Sequence, residues 1–209
     1  PWSEWVLLDS LQTSSIARRI HKRLERRVLQ SADKVVTITP FYVRQFEKLG
    51  GRKVQLLTNG YDDADFTSLR LVRQANFIIR HVGIVHEMCN PRPFMQLVEQ
   101  LMQEDKNFCQ DVRVDFTGEV HTDFQQFIKQ SSLLQAVTTF TPSVPHKQLM
   151  HVYGTSSLLL IVLVGYKDAT GYMPGKLFEY LATGLPVLGI GPEDGDAAQL
   201  LRESSAGVM

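Results

Sequence analysis

The sequence predicts an α/β fold, a doubly wound parallel sheet of Rossmann-like type, with the end of another α/β unit in front of it. Two patterns carry the prediction. From Asn76 onward, short apolar runs alternate with helix-length segments. Strands this apolar are buried on both faces, and helical crossovers between them imply parallel pairing with helices on both sides. Ahead of Asn76 lie a basic helix, the strand-like run KVVTIT, a further helix and a second short strand, closed by the Asn59-Gly60 turn signal. Tyr61 to Arg73 is charged and aperiodic and reads as the connection between the two units. The expected division is 1–70 and 71–209.

In order along the chain, Ile16, Ile20, Leu24 and Val28 fall four apart and mark one apolar stripe on a helix from Ser14 to Gln30. Lys34 to Thr39 is β-branched and reads as a buried strand, Phe41 to Leu49 as a helix stopped by Gly50-Gly51, and Lys53 to Leu57 as a strand. Further strands are expected at Phe77 to Val82, Val112 to Thr117, Ala136 to Phe140, Leu158 to Val164 and Pro186 to Ile190, with one starting at Ala206. Helices are expected at Arg92 to Asp105, Thr122 to Ser131, His146 to Tyr153, Pro174 to Thr183 and Gly195 to Ser204. The chain opens on Pro1-Trp2 and closes as a strand begins, so it reads as a piece of a longer protein.

Composition excludes several classes. An apolar fraction of 44% and a charged fraction of 21% are those of an ordinary globular protein. Twenty-two Lys and Arg balance 22 Asp and Glu, which argues against a nucleic-acid partner. Only Ile16 to Gln30 is strongly basic, with six Lys or Arg against the single Glu25. This helix is expected either to stay solvated or to touch an anionic membrane or a lipid-linked acceptor. Two cysteines, Cys89 and Cys109, stand in no paired-ligand spacing, which favours a reducing, cytoplasmic setting. The longest apolar run, Leu158 to Val164, is far short of the roughly 18 residues of a membrane span.

In a doubly wound sheet, ligands bind outside the carboxyl ends of the strands. The informative stretch at that edge is DATGYMPGKLFEYLATGLPVLGI, from Asp168 to Ile190. A glycine-containing loop leads into a helix opening near Pro174, and free N–H groups at such an end receive phosphate. Lys176 falls in the first turn, where the helix dipole disfavours a cation unless an anion is bound. Glu179, one turn deeper, is placed to accept hydrogen bonds from two ribose hydroxyls. A solvated Lys176–Glu179 pair reads the same spacing equally well.

PGKLFEYLATGLPVL strongly resembles the carboxyl-terminal signature of retaining GT-B glycosyltransferases of family 4. Three further stretches match in the family's order: Ala32 to Thr39 with Leu57 to Asp62, then His81-Val82-Gly83, then Ser143 to Leu149. The resemblance implies a GT-B carboxyl-terminal domain behind the tail of its acceptor-side partner. It implies transfer, with retention, from a nucleoside diphosphate sugar to a glycan or lipid-linked acceptor, without a cofactor. The donor site it implies comprises Gly83, Arg92, Val144, Gly171, Tyr172, Met173, Pro174, Gly175, Lys176, Leu177 and Glu179. No catalytic residue can be named, since in this family such groups usually come from the amino-terminal half, and the chain alone is expected to be inactive.

Two departures stand out. The family's Glu-x7-Glu pattern has Gly171 in its first place, and Ile84 and Cys89 stand where its Arg and Lys would align. Arg92 is the nearest substitute. Other motifs read as incidental: Asp63-Ala64-Asp65 follows a turn instead of a buried strand, His86-Glu87 lacks a second ligand at Asn90, and Gly189, Gly191 and Gly195 do not make a dinucleotide fingerprint. His146 and His151 read as solvated or capping residues, and no metal site is expected. A GT-B-type epimerase and a non-catalytic nucleotide-binding module remain as alternative readings.

Overall fold

The computed structural model describes residues 14–163 and 169–209. Val164, the expected end of one strand, and Asp168 lie outside the described residues. Six parallel strands form the main sheet: β3 (Phe77–Val82), β4 (Val112–Thr117), β5 (Thr138–Thr141), β6 (Leu158–Val162), β7 (Val187–Ile190) and β8 (Gly207–Val208). Their spatial order is β5-β4-β3-β6-β7-β8, so the chain winds outward one way from β3 and the other way from β6. This is the doubly wound order with its switch point between β3 and β6. In front, β1 (Val36–Thr37) pairs in parallel with β2 (Gln55–Leu56) in a two-stranded sheet.

Alternation along β6 shows why the sheet is covered on both sides. Leu160 and Val162 join a core with Met95, Val98, Phe116, Phe124 and Ile128, under α4 (Arg92–Glu104) and α6 (Thr122–Lys129). Leu159, Ile161 and Leu163 join the opposite core with Met150, Tyr153, Leu177, Tyr180 and Leu201. That second core lies under α8 (His146–Gly154), α9 (Gly175–Ala182) and α10 (Asp196–Glu203). Successive strand residues point to opposite faces, so one apolar run serves both cores.

The front unit consists of α1 (Ser15–Ser31), β1, α2 (Pro40–Gly50) and β2. Ser14 caps α1 by accepting from the Ala17 amide, and Thr39 caps α2 by accepting from that of Tyr42. The expected strand from Lys34 to Thr39 narrows to two paired residues, Val36 and Thr37, because β2, its one neighbour among the described residues, pairs over so short a length. Within the connection from Tyr61 to Arg73, α3 (Asp63–Phe66) forms a single turn capped by Asp62. Besides α3, two further helices were not expected: α5 (Lys106–Asp111) and α7 (Ser132–Val137). Each follows directly on another helix and restarts at its own cap, Asp105 or Ser131.

Candidate functional site

The site is built where β3 ends and α9 begins. α9 starts one residue later than expected, with Pro174 as its N-cap; Pro174 makes no side-chain cap, so the first amides of the helix lack a side-chain acceptor. Lys176 and Tyr180, one turn apart on α9, both face the end of β3. The Tyr180 hydroxyl accepts from the Val82 amide at 2.9 Å and donates to the Val82 carbonyl at 3.3 Å. The Lys176 ammonium donates to the same carbonyl at 3.4 Å. Burial lowers the Lys176 pKa, and Cys89 and Glu179 pull it partway back. Among the described residues Lys176 forms no ion pair, so it is a half-buried cation with a single weak acceptor.

Gly83, directly after β3, adopts φ +137°, where only glycine is at ease. A Cβ there would stand 2.7 Å from the Lys176 Nζ and 3.8 Å from the Nε2 of His81. His81 is fully buried, and its Nδ1 lies 3.0 Å from the Leu160 carbonyl. Its Nε2 is buried without a hydrogen-bond partner. Burial first, then the Lys176 charge, push its pKa down to about 3, against the pull of the Leu160 and Ile84 backbone. Around this point stand Cys89, whose pKa burial raises and Lys176 partly lowers, and Tyr172, raised by burial and then by Cys89.

On the other flank of α9, Glu179 accepts from the Tyr153 hydroxyl at 2.8 Å, and the Tyr153 and Tyr180 rings meet edge to face at 5.7 Å. Burial, then neighbouring Tyr180 and Glu179, drive the Tyr153 hydroxyl well above its ordinary pKa, so it stays a donor. Glu179 is half-buried and therefore retains open acceptor capacity.

The front unit reaches this edge twice. A Cβ on Gly175 would lie 4.0 Å from the Asn59 side-chain nitrogen. A Cβ on Gly171 would lie 2.5 Å from the Phe41 ring. Gly171, in a 3-10 turn from Ala169 to Gly171, thus has no room for any side chain while Phe41 stays in place.

Of the expected site residues, Gly83, Gly171, Tyr172, Pro174, Gly175, Lys176 and Glu179 gather at this edge, and Val144 sits half-buried in the loop after β5. Met173 and Leu177 are buried in the second core and serve packing. Arg92 has other partners: its guanidinium donates to the Asp123 carbonyl at 2.9 Å and lies 5.3 Å over the Phe127 ring, both on α6. Asp65 faces His146 at 3.8 Å, and His86 caps the turn at Glu87–Cys89. His81, Cys89 and Tyr153 were not legible as site neighbours. Two of them carried a signal: His81 opens the matched His81-Val82-Gly83 stretch, and Cys89 stands where the family's Lys would align.

Solved structures share this architecture. The chain superposes on TarM with a TM-score of 0.64 at 11% identity, covering 93% of this chain and 40% of that one. Against the sucrose-phosphate synthase from Thermosynechococcus elongatus the TM-score is 0.64 at 15% identity, covering 97% and 51%. Against WaaG, a glycosyltransferase involved in lipopolysaccharide biosynthesis, it is 0.64 at 15%, covering 93% and 54%. The fold is GT-B. The chain spans about half the length of these GT-B structures. No protein-family model matches the sequence, and no curated protein does.

Proposed function

We propose that the chain is the donor-binding part, residues 71–209, of a retaining glycosyltransferase of the family 4 kind, with residues 1–70 the end of its acceptor-side domain. The observation that supports this reading is the half-buried Lys176 ammonium, with one weak acceptor and no ion pair among the described residues, beside the uncapped start of α9 at the switch point of a doubly wound sheet. A diphosphate there meets a cation and free amides together. As the sugar–phosphate bond breaks, negative charge grows on the diphosphate, and these preorganised groups stabilise it. Gly83 leaves space for close approach, Glu179 receives the ribose hydroxyls, and Val144 and Tyr172 flank the donor. Arg92 joins the site only by leaving Phe127. The acceptor is a glycan or a lipid-linked acceptor, and the setting is cytoplasmic.

The Phe41–Gly171 contact favours a second reading, a nucleotide-binding module without catalysis, since it leaves no room for a carboxylate at position 171. Calorimetry of the chain against UDP, ADP and GDP tests the first step. Binding of one of them, weakened about tenfold or more in Lys176→Ala and indifferent to chelator, supports the donor site. Affinity unchanged in Lys176→Ala, or abolished by chelator and restored by manganese, overturns it. Sugar transfer by the enzyme at its natural length then separates transferase from module, and product without acceptor identifies an epimerase.

We further assign the peripheral membrane contact to α1. Ile16, Ile20, Leu24 and Val28 are exposed beside a groove of about 680 Å³ lined by Arg19, Lys22, Arg23, Arg26 and Lys48. Among the described residues, no helix is long and apolar enough to cross a membrane. Sedimentation with phosphatidylglycerol vesicles, lost when Arg19, Lys22 and Arg23 become Glu, supports the contact. No sedimentation would assign the stripe to the acceptor-side half instead.

A further inference from the structure

Glu179 is the acidic side chain of α9, and among the described residues one group donates to it, the Tyr153 hydroxyl at 2.8 Å from Oε2. The two partners have unlike surroundings. Tyr153 is fully buried in the second core, with Met150, Leu159, Leu177 and Leu201, whereas Glu179 is half-buried. A buried tyrosine hydroxyl needs a partner, which is one reason for the pair to form. The way the tyrosine is held supplies another.

Tyr153 stands near the end of α8, where the Ser156 amide donates to its carbonyl at 2.9 Å and the next residue, Gly154, accepts from the Val72 amide at 2.8 Å. A Cβ on Gly154 would collide with the Arg70 carbonyl, so the connection between the two units lies directly on this end of the helix. The Tyr153 ring meets Tyr180 edge to face at 5.7 Å, and the Tyr180 hydroxyl is bonded in turn to both backbone groups of Val82. Connection, α8, α9 and the end of β3 therefore fix one phenol, and close-packed cores keep such rings in one rotamer. Burial, then neighbouring Tyr180 and Glu179, keep its proton in place, so it stays a donor.

A glutamate at the margin of a core is not fixed in this way by packing. Ordering its rotatable bonds when a ligand arrives costs affinity, and a bond made beforehand removes that cost. The Tyr153 hydroxyl takes one of roughly four lone-pair sites of the carboxylate and leaves the others open.

We infer that Tyr153 is a positioning residue for Glu179: its buried hydroxyl holds the carboxylate ready for the ribose, so a side chain that touches no ligand sets the preference for nucleotides carrying both ribose hydroxyls. This rests on the donor-site reading above.

The test compares, by calorimetry on the chain, whichever of UDP, ADP and GDP binds best with its dideoxy analogue, which lacks both ribose hydroxyls. Glu179→Ala should weaken the ribonucleotide about tenfold and leave the analogue unchanged. Tyr153→Phe keeps the ring and its packing. It should weaken the ribonucleotide several-fold, leave the analogue unchanged, and have no further effect beside Glu179→Ala. If no nucleotide binds, or Glu179→Ala treats the two ligands alike, the donor-site reading and this inference both fall. If Glu179→Ala discriminates while Tyr153→Phe weakens neither ligand or both equally, the tyrosine serves packing and the inference alone falls. The same holds if the Tyr153→Phe effect persists in full beside Glu179→Ala. Proton spectra supply a measurement without ligand. A buried hydroxyl bonded to a carboxylate should give a slowly exchanging resonance, lost in Tyr153→Phe and shifted in Glu179→Ala. Absence of that resonance in wild type, or its indifference to Glu179→Ala, overturns the inference.

Discussion

Because His81 is held neutral, its burial makes the protein acid-sensitive in a defined window. In the unfolded chain the ring takes up a proton near its ordinary pKa of 6.5, whereas in the fold it resists down to about 3. The unfolded state therefore binds more protons between those values, and stability falls as pH drops through them, by no more than about 5 kcal/mol in total. Denaturant titrations of wild type and His81→Gln between pH 7 and pH 4 should show a steeper loss in wild type. Parallel curves would mean that His81 is not held neutral. Glu179 offers a second residue-scale outcome. Its carboxylate is already oriented by Tyr153 at 2.8 Å. Glu179→Gln should weaken nucleotide binding by about 1 to 3 kcal/mol, the range for a lost charged partner. Unchanged calorimetric affinity in a folded variant would remove Glu179 from the ribose.

Among the elements, α9 is the one whose local chemistry is unusual. Its N-cap, Pro174, has the extended backbone of a normal cap, φ −70° and ψ 148°, but no side-chain acceptor. Asp in its place would fill the vacant role and stabilise the helix by about 1 kcal/mol. In a protein of this size that raises Tm by roughly 2 to 4 °C. The same carboxylate would repel an incoming diphosphate, so Pro174→Asp should melt higher and bind nucleotide at least about tenfold more weakly. A variant that is more stable and binds equally well would show that the anion does not sit at this helix end. Stability and binding are opposed here because both draw on the same unpaired amides.

For the molecule as a whole, the contact between the front unit and the main sheet centres on Asp196. This buried carboxylate, the first residue of α10, accepts from the Phe41 amide in the first turn of α2 at 2.8 Å and lies 3.8 Å from Arg44. Two helix starts thus share one negative charge, which suits the positive end of each. Phe41 then packs its ring onto Gly171. Asp196→Ala should loosen α2 without unfolding the main sheet, at a cost of about 1 to 3 kcal/mol. Hydrogen exchange reads this as lost protection at Phe41 and Tyr42, with protection of β3 and β6 retained. Equal loss in both regions, or none in α2, would show that Asp196 is not the fastening.

The sequence by itself determined the winding of the main sheet. Its signals are local: apolar runs such as Leu158 to Val162, long enough to serve two faces, and the helix-length segments between them. It also placed Lys176 and Glu179 on one helix and Gly83 after one strand, because their meaning lies in sequence spacing. It missed α5 and α7, since the expected helices stop at Asp105 and Ser131 and the six-residue helices that restart there are too short to show a periodic apolar stripe. Tertiary structure alone decided the partners. Arg92 was expected among the phosphates, but α6, remote in sequence, supplies an aromatic face and a carbonyl that hold it. The end of β3 and Tyr153 joined the site through contacts 98 and 26 residues apart in sequence, Val82 with Tyr180 and Tyr153 with Glu179, and no local pattern encodes such contacts. Gly171 read as a missing carboxylate, and only the fold shows Phe41 filling that space. Periodicity is written in neighbouring residues, whereas the environment of a side chain is written by whatever the fold brings beside it.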